Sequence, residues 1–271
     1  MHYLSAGAGS PVVALHGWPG YSADWRAVIR AASAFACVLA PDFFGFGDSD
    51  RLTDPAVEAA DEEAFATDVI DLLDALAIEQ AILAGYDIGS AVAPAVARLA
   101  PERVTGLLLL NPTHPLIGDK QPSPHMIAES WYQHFHLLPL ATQLLDGNAD
   151  GLRLYLAHFY DHWGGERKLT TRELEEVVEV YARPGAFASS IRWYEARTAR
   201  RQRAAPAPPP LETVTLALWG DQDPMRPLDH RDGFEESFPN SESYVLEGVG
   251  HFVPHEVPEQ VADALRELAA A

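Results

Sequence analysis

Short apolar runs closed by turn-forming residues recur along the chain: Val12 to Leu15, Ala36 to Ala40, Ala81 to Ala84, Val104 to Leu110, Val214 to Trp219 and Ser243 to Leu246. Runs that are apolar at nearly every position, rather than at alternate ones, suit strands covered on both faces. Between several of them the pattern changes to a helical period. From Glu63 to Leu76, the residues Phe65, Val69, Leu72, Leu73 and Leu76 return to one face. This alternation predicts an α/β fold with a mostly parallel sheet covered by helices on both faces.

The alternation stops near His114, and as far as Arg203 the chain reads as helices rich in aromatic residues and histidine. Ala205-Pro206-Ala207-Pro208-Pro209-Pro210 then forms a stiff connector that cannot continue a helix and suits a return to the sheet. The expected organisation is a core from 1 to 113 and 206 to 271, with a helical cap inserted over 114 to 205. A chain of 271 residues holds one such core with its cap, not two unrelated domains.

Composition narrows the partners. With 39 acidic against 19 basic side chains the formal charge is -20, so the average field repels nucleic acid and anionic lipid. No apolar run reaches the roughly 18 residues of a membrane span, and Met1-His2-Tyr3-Leu4-Ser5 lacks the features of a signal peptide. Cys37 has no cysteine to pair with and lies in an apolar run, as a buried structural thiol does. The expectation is a cytoplasmic protein with neither nucleic acid nor membrane as partner, and homodimer formation stays open.

The chemistry centres on Gly85-Tyr86-Asp87-Ile88-Gly89, between the run ending at Ala84 and a helical stretch from Ala91. A strand-to-helix turn this tight needs small residues on both sides and lifts its middle side chain above the sheet. It is a nucleophile elbow with Asp where serine hydrolases carry Ser. Upstream, His16-Gly17-Trp18-Pro19 follows a strand where such folds supply a second backbone donor, so the Trp18 and Ile88 amides are the candidate oxyanion hole. Downstream, two further strands run into Gly220-Asp221-Gln222-Asp223-Pro224 and Gly248-Val249-Gly250-His251-Phe252. Nucleophile, acid and histidine thus follow one another in the order expected for this fold.

These motifs together resemble the α/β-hydrolase superfamily, in the branch holding epoxide hydrolases and haloalkane and haloacetate dehalogenases, over nearly the whole chain. The resemblance implies Asp87 as nucleophile, Asp223 rather than Asp221 as the acid, and His251 as the base. Two cap segments, Trp131-Tyr132-Gln133-His134-Phe135-His136 and Ile191-Arg192-Trp193-Tyr194-Glu195, resemble those that each give an epoxide hydrolase one tyrosine. Tyr132 and Tyr194 would then donate hydrogen bonds to an epoxide oxygen, although Arg192 and Glu195 depart from the usual Asn-Trp-Tyr-Arg. His16, Trp131, His134, Trp193 and Asn111 border these motifs and are the candidate substrate contacts.

The implied reaction opens a small neutral epoxide to a diol through an ester of Asp87, with water as second substrate and no metal or organic cofactor. A carbon–halogen hydrolase is the alternative, but Ile88 stands where haloalkane dehalogenases place Trp and haloacetate dehalogenases place Arg. Ester or lactone hydrolysis fits an aspartate nucleophile less well, because a carboxylate attacking an ester gives a labile anhydride. A non-catalytic binding protein has no use for Asp87, Asp223 and His251 together. The pairs His158 with His162 and His251 with His255 have helical spacing but lack a metalloprotease pattern, and Pro254 interrupts the second.

Overall fold

The computed structural model describes residues 1–52, 60–117, 123–202 and 206–270 in full. β1 (Tyr3–Ala6) and β2 (Ser10–Leu15) lead into α1 (Arg26–Ala32), β3 (Ala36–Pro41), α2 (Glu62–Ala75), β4 (Ala81–Tyr86), α3 (Ile88–Leu99) and β5 (Val104–Leu110). The helices α4 (Pro124–Glu129), α5 (Trp131–His136), α6 (Pro139–Leu145), α7 (Ala149–Trp163), α8 (Thr171–Tyr181), α9 (Ala186–Ser190) and α10 (Arg192–Gln202) follow. The chain returns with β6 (Thr215–Gly220), α11 (Phe234–Ser237), β7 (Ser241–Leu246), α12 (Val253–Glu256) and α13 (Pro258–Ala270). No strand falls between β5 and β6 among the described residues. Ala205, where the proline connector was expected to begin, lies outside the described residues, and 206 to 212 carry no regular structure.

Seven strands form one sheet in the order β1-β3-β2-β4-β5-β6-β7, parallel except where β1 meets β3. All six residues of β4 are buried, as a central strand covered on both faces requires. The expected runs all fall on strands, each within a residue or two of its bounds. β1 carried no such signal: it is a short edge strand with mostly exposed side chains, so it needs no apolar face. Within α2 the expected stripe buries Phe65, Val69, Leu72 and Leu73, and Asp61 caps the helix by accepting from the Glu63 and Ala64 amides. No helix among the described residues is long and apolar enough to cross a membrane.

The helices between β5 and β6 are fastened to the carboxyl-end loops of the sheet. Tyr160 and Tyr181 donate through their hydroxyls to the carbonyls of Pro19 and Gly20, each at 3.0 Å. His125 Nε2 lies 2.9 Å from the Pro224 carbonyl. A three-ring stack completes the join: Phe43 and Phe65 lie 4.8 Å apart at 8°, and Phe65 and Trp193 lie 5.6 Å apart at 12°. Phe65, fully buried, thus links the loop after β3, helix α2 and helix α10. Truncation by Phe65→Ala should lower the unfolding free energy by about 3–5 kcal/mol, the usual cost of emptying a buried aromatic site. Urea unfolding measures this, and a loss below about 1 kcal/mol, the range of ordinary substitutions, would deny the stack that role.

Candidate active site

β4 delivers Asp87 onto a sharp turn with φ 49° and ψ −112°, after which α3 begins at once. A non-glycine residue in this region is strained. The surroundings hold it there through close approaches that only glycine permits. A Cβ on Gly89 would lie 2.2 Å from the Leu15 carbonyl oxygen, and one on Gly17 would lie 2.4 Å from Asp87 Cβ. The loop after β2 therefore passes directly over the nucleophile, and the Gly89 amide donates to the His16 carbonyl at 3.0 Å. Below, Tyr86 is fully buried and its hydroxyl donates to Asp24 Oδ2, which anchors the strand end.

The structure brings the three expected polar residues together. His251 Nδ1 lies 2.8 Å from Asp223 Oδ2, and His251 Nε2 lies 3.6 Å from Asp87 Oδ2. Asp87 Oδ1 accepts from the Trp18 amide at 2.9 Å, while Ile88 supplies the first amide of α3, one of the four that have no partner within a helix. Asp223 Oδ1 accepts from the Met225 amide at 2.8 Å. Asp221 instead is exposed and accepts from the Gly248 amide to close a turn. Side-chain exposures of 15% for Asp87, 0% for Asp223 and 1% for His251 describe a site largely withdrawn from water.

Tyr132 and Tyr194 cover this group, 2% and 3% exposed, with ring centroids 5.5 Å apart. The Trp18 indole joins core to cap here: Tyr132 stacks on it at 5.4 Å and 11°, and Tyr194 meets it edge-on at 5.9 Å.

The profile described as "Alpha/beta hydrolase family" matches residues 12–264. The chain belongs to the alpha/beta hydrolase family. It is an enzyme, a hydrolase. It is 32% identical over 277 residues to the soluble epoxide hydrolase of Corynebacterium sp. (strain C12), a match spanning 100% of this chain and 93% of that one. Among solved structures, epoxide hydrolase CorEH superposes with a TM-score of 0.82 at 29% identity, over 99% of this chain and 94% of the other. A Bacillus megaterium epoxide hydrolase shares the fold, with a TM-score of 0.84, 21% identity, and coverage of 100% and 96%.

Several expected substrate contacts of this hydrolase are placed elsewhere. His16 is fully buried; its Nδ1 lies 2.9 Å from the Gly17 carbonyl and its Nε2 accepts from the Phe43 amide at 3.1 Å. Both ring nitrogens are thus spent on holding loops. Asn111 bridges β6 and the histidine loop, donating to the Gly250 carbonyl at 2.8 Å and accepting from the Gly220 amide at 2.7 Å. Trp193 belongs to the Phe65 stack. Trp131 is 42% exposed and stacks on Phe159, and His134 is exposed. The residue that turns inward is His136, one helical turn beyond Tyr132, with its ring 4.7 Å from both Trp18 and Tyr194. The i, i+4 spacing on α5 was the signal that selects His136 over His134.

Electrostatics in the hydrolase follow from burial and pairing. Burial pushes the Asp87 carboxyl up, but the His251 hydrogen bond and charge and the Trp18 amide outweigh it and hold the group below its usual range. For His251 burial works downward, yet Asp223 and Asp87 raise it to about 9. Burial lifts Tyr132 to about 12 and Tyr194 well above the usual phenol value, with the Asp87 charge adding to both. His136 is driven down to about 3 by burial and is neutral.

One group escaped sequence reading because its partners are backbone amides. Glu256, 7% exposed, accepts through Oε2 from the Gly165 and Gly250 amides, each at 2.8 Å, and through Oε1 from the Phe252 amide at 3.0 Å. The amides flanking His251 are thereby fixed to one carboxylate, while the His251 amide itself donates to the Trp163 carbonyl at 2.8 Å. Glu256→Gln would turn an NH₂ toward amide donors and release this loop. It is expected to lower kcat about 10- to 100-fold, the cost of small displacements of a catalytic group, with little change in KM; wild-type kcat in a folded variant would contradict the positioning role.

A second expectation concerns stability. Below its ordinary 6.5 the imidazole is charged in folded and unfolded chains alike, and its ion pairs contribute fully; as pH rises toward about 9 that contribution is lost. Stability should therefore fall across this window, and His251→Gln should flatten the dependence in thermal melts at constant ionic strength. An unchanged slope in the variant would exclude His251 as its source.

Proposed function

We propose that this hydrolase opens an epoxide to a vicinal diol through a covalent ester of Asp87. The observation that carries the reading is the pair of buried phenols, Tyr132 and Tyr194, over the carboxylate, an arrangement suited to an oxygen that becomes an alkoxide. The epoxide hydrolases among its relatives support the same reaction.

Asp87 Oδ1 is engaged by the Trp18 amide, so Oδ2 attacks the epoxide carbon. The carbon–oxygen bond of the ring breaks, and the oxygen takes a proton from one phenol. With Tyr132 at about 12, that phenol is protonated at neutral pH and available as the acid. Esterification removes the charge of Asp87, one of the two carboxylates that hold the His251 pKa up. The imidazolium thereby loses its hold on its proton, which passes to the phenolate left by ring opening, and the neutral imidazole is the base that the second step requires. Its Nε2, which faces Asp87 Oδ2 at 3.6 Å, takes a proton from water, and the hydroxide adds to the ester carbonyl. The Trp18 and Ile88 amides hold the resulting oxyanion, each worth roughly 3 kcal/mol. Collapse breaks the bond from Cγ to the ester oxygen, the diol leaves with the proton from His251, and the new carboxyl gives its own proton to the imidazole, which regains its charge. Water thus ends divided between diol and enzyme.

Single turnover in ¹⁸O-water checks this order of events: the label is expected on Asp87 and not in the first diol formed. Asp87→Ala should abolish turnover, and His251→Gln should accumulate the ester as a mass shift. Paired Tyr132→Phe and Tyr194→Phe changes should slow ring opening by about 100-fold or more, the usual weight of general acid catalysis. Solvent label in the first diol, or release of halide with no diol from any epoxide, would overturn the reading.

A further inference from the structure

Arginines gather beside this site although the chain as a whole carries a charge of -20. Arg226 stands three residues after Asp223 on the same loop, is 6% exposed, and donates through Nη1 to the Met225 carbonyl at 2.7 Å. Its Nε has no partner among the described residues. On α10, Arg197 and Arg201 follow Tyr194 at i+3 and i+7, the spacing that places all three on one helix face. Arg197 is half-buried, and among the described residues neither it nor Arg201 makes an ion pair or a side-chain hydrogen bond. Arg200, on another face, is paired with Glu62.

These arginines sense one another. The charge of Arg197 is the largest influence lowering Arg201, to about 10. Arg226 is lowered by burial first and then by Arg197, against the opposing pull of Asp223 and Asp87. A count of charge decides what is left over. Asp87 and Asp223 against a protonated His251 leave one negative charge; Arg226 cancels it, and Arg197 makes the pocket positive. A guanidinium withdrawn from water without a carboxylate partner is costly, and the cost is removed when a ligand supplies the anion.

We infer that Arg226 and Arg197 form an anion subsite, and that the substrate is an epoxide bearing a carboxylate. This rests on the proposed epoxide opening and replaces the neutral substrate expected from the sequence. Arg226 keeps a guanidinium edge at Nε, the geometry that accepts a carboxylate through two parallel hydrogen bonds. Arg197 lies three residues along α10, about 4.5 Å along the axis, from Tyr194. Since Tyr194 marks the epoxide oxygen, the carboxylate sits a short spacer away, a few methylenes from the ring.

The test compares ω-epoxy carboxylates of graded chain length with their primary amides, in wild type, Arg197→Gln and Arg226→Gln. The reading is the ratio of kcat/KM for acid over amide, taken within each variant, so that a general loss of activity cancels. Wild type should favour the acid, increasingly at low salt, and each substitution should reduce the ratio roughly tenfold or more, as expected for a lost charge-assisted hydrogen bond. Calorimetric binding of the corresponding saturated carboxylates, which cannot react, follows the subsite without the chemistry and should weaken in both variants. Epoxide turnover with no preference for the acid, or ratios unchanged in both variants, would overturn the subsite and leave the reaction standing. Carboxylate binding that depends on Arg197 and Arg226 without turnover of any epoxide would keep the subsite and overturn the reaction.

Discussion

A carboxylate that is mostly withdrawn from water stays ionised only where donors and positive charge replace its hydration. Asp87 meets that condition through three features that arrive from different parts of the chain. The Trp18 amide reaches Oδ1, the His251 imidazole faces Oδ2, and the start of α3 presents the positive end of a helix dipole. Each depends on a backbone path that something else must hold. Gly17 and Gly89 allow the loop after β2 to cross the elbow, Asn111 ties β6 to the histidine loop, and Glu256 grips the amides on either side of His251.

The aromatic cap serves the same purpose from above. Trp18, Tyr132, His136 and Tyr194 close over the carboxylate with few exposed polar atoms. Excluding water there strengthens every remaining electrostatic contact. The low pKa of His136 and the raised values of both tyrosines come mainly from this burial. Such groups keep one protonation state at neutral pH and so act as fixed donors or acceptors rather than as shared titrating sites. Change of charge is thereby concentrated on Asp87 and His251, the two groups whose coupling the proposed ester step alters.

The arginines introduce an opposite consideration. In a chain with twice as many acidic as basic side chains, several arginines find a carboxylate, as Arg26, Arg103, Arg153 and Arg183 do. Arg197 and Arg226 do not among the described residues, and they follow Tyr194 on α10 and Asp223 on its loop by three residues each. Their charge belongs to the site as much as that of Asp87 does, and a total taken over the whole chain conceals it.

The sequence by itself determined the elements whose physics is local. Apolar runs gave the strands, helical period gave α2, and small residues around Asp87 gave the elbow, because each depends on neighbours a few positions away. The order of Asp87, Asp223 and His251 along the chain, each after a strand, was readable for the same reason. Only the tertiary structure decided which side chains of a helix or loop turn inward. It selected His136 over His134, set Trp193 and His16 to packing and loop support, and gave both ends of Asn111 to backbone partners. It also brought Glu256 to the histidine loop. Those choices are made by contacts between segments distant in sequence, where a single side chain's direction depends on which partner reaches it, and no local period encodes that.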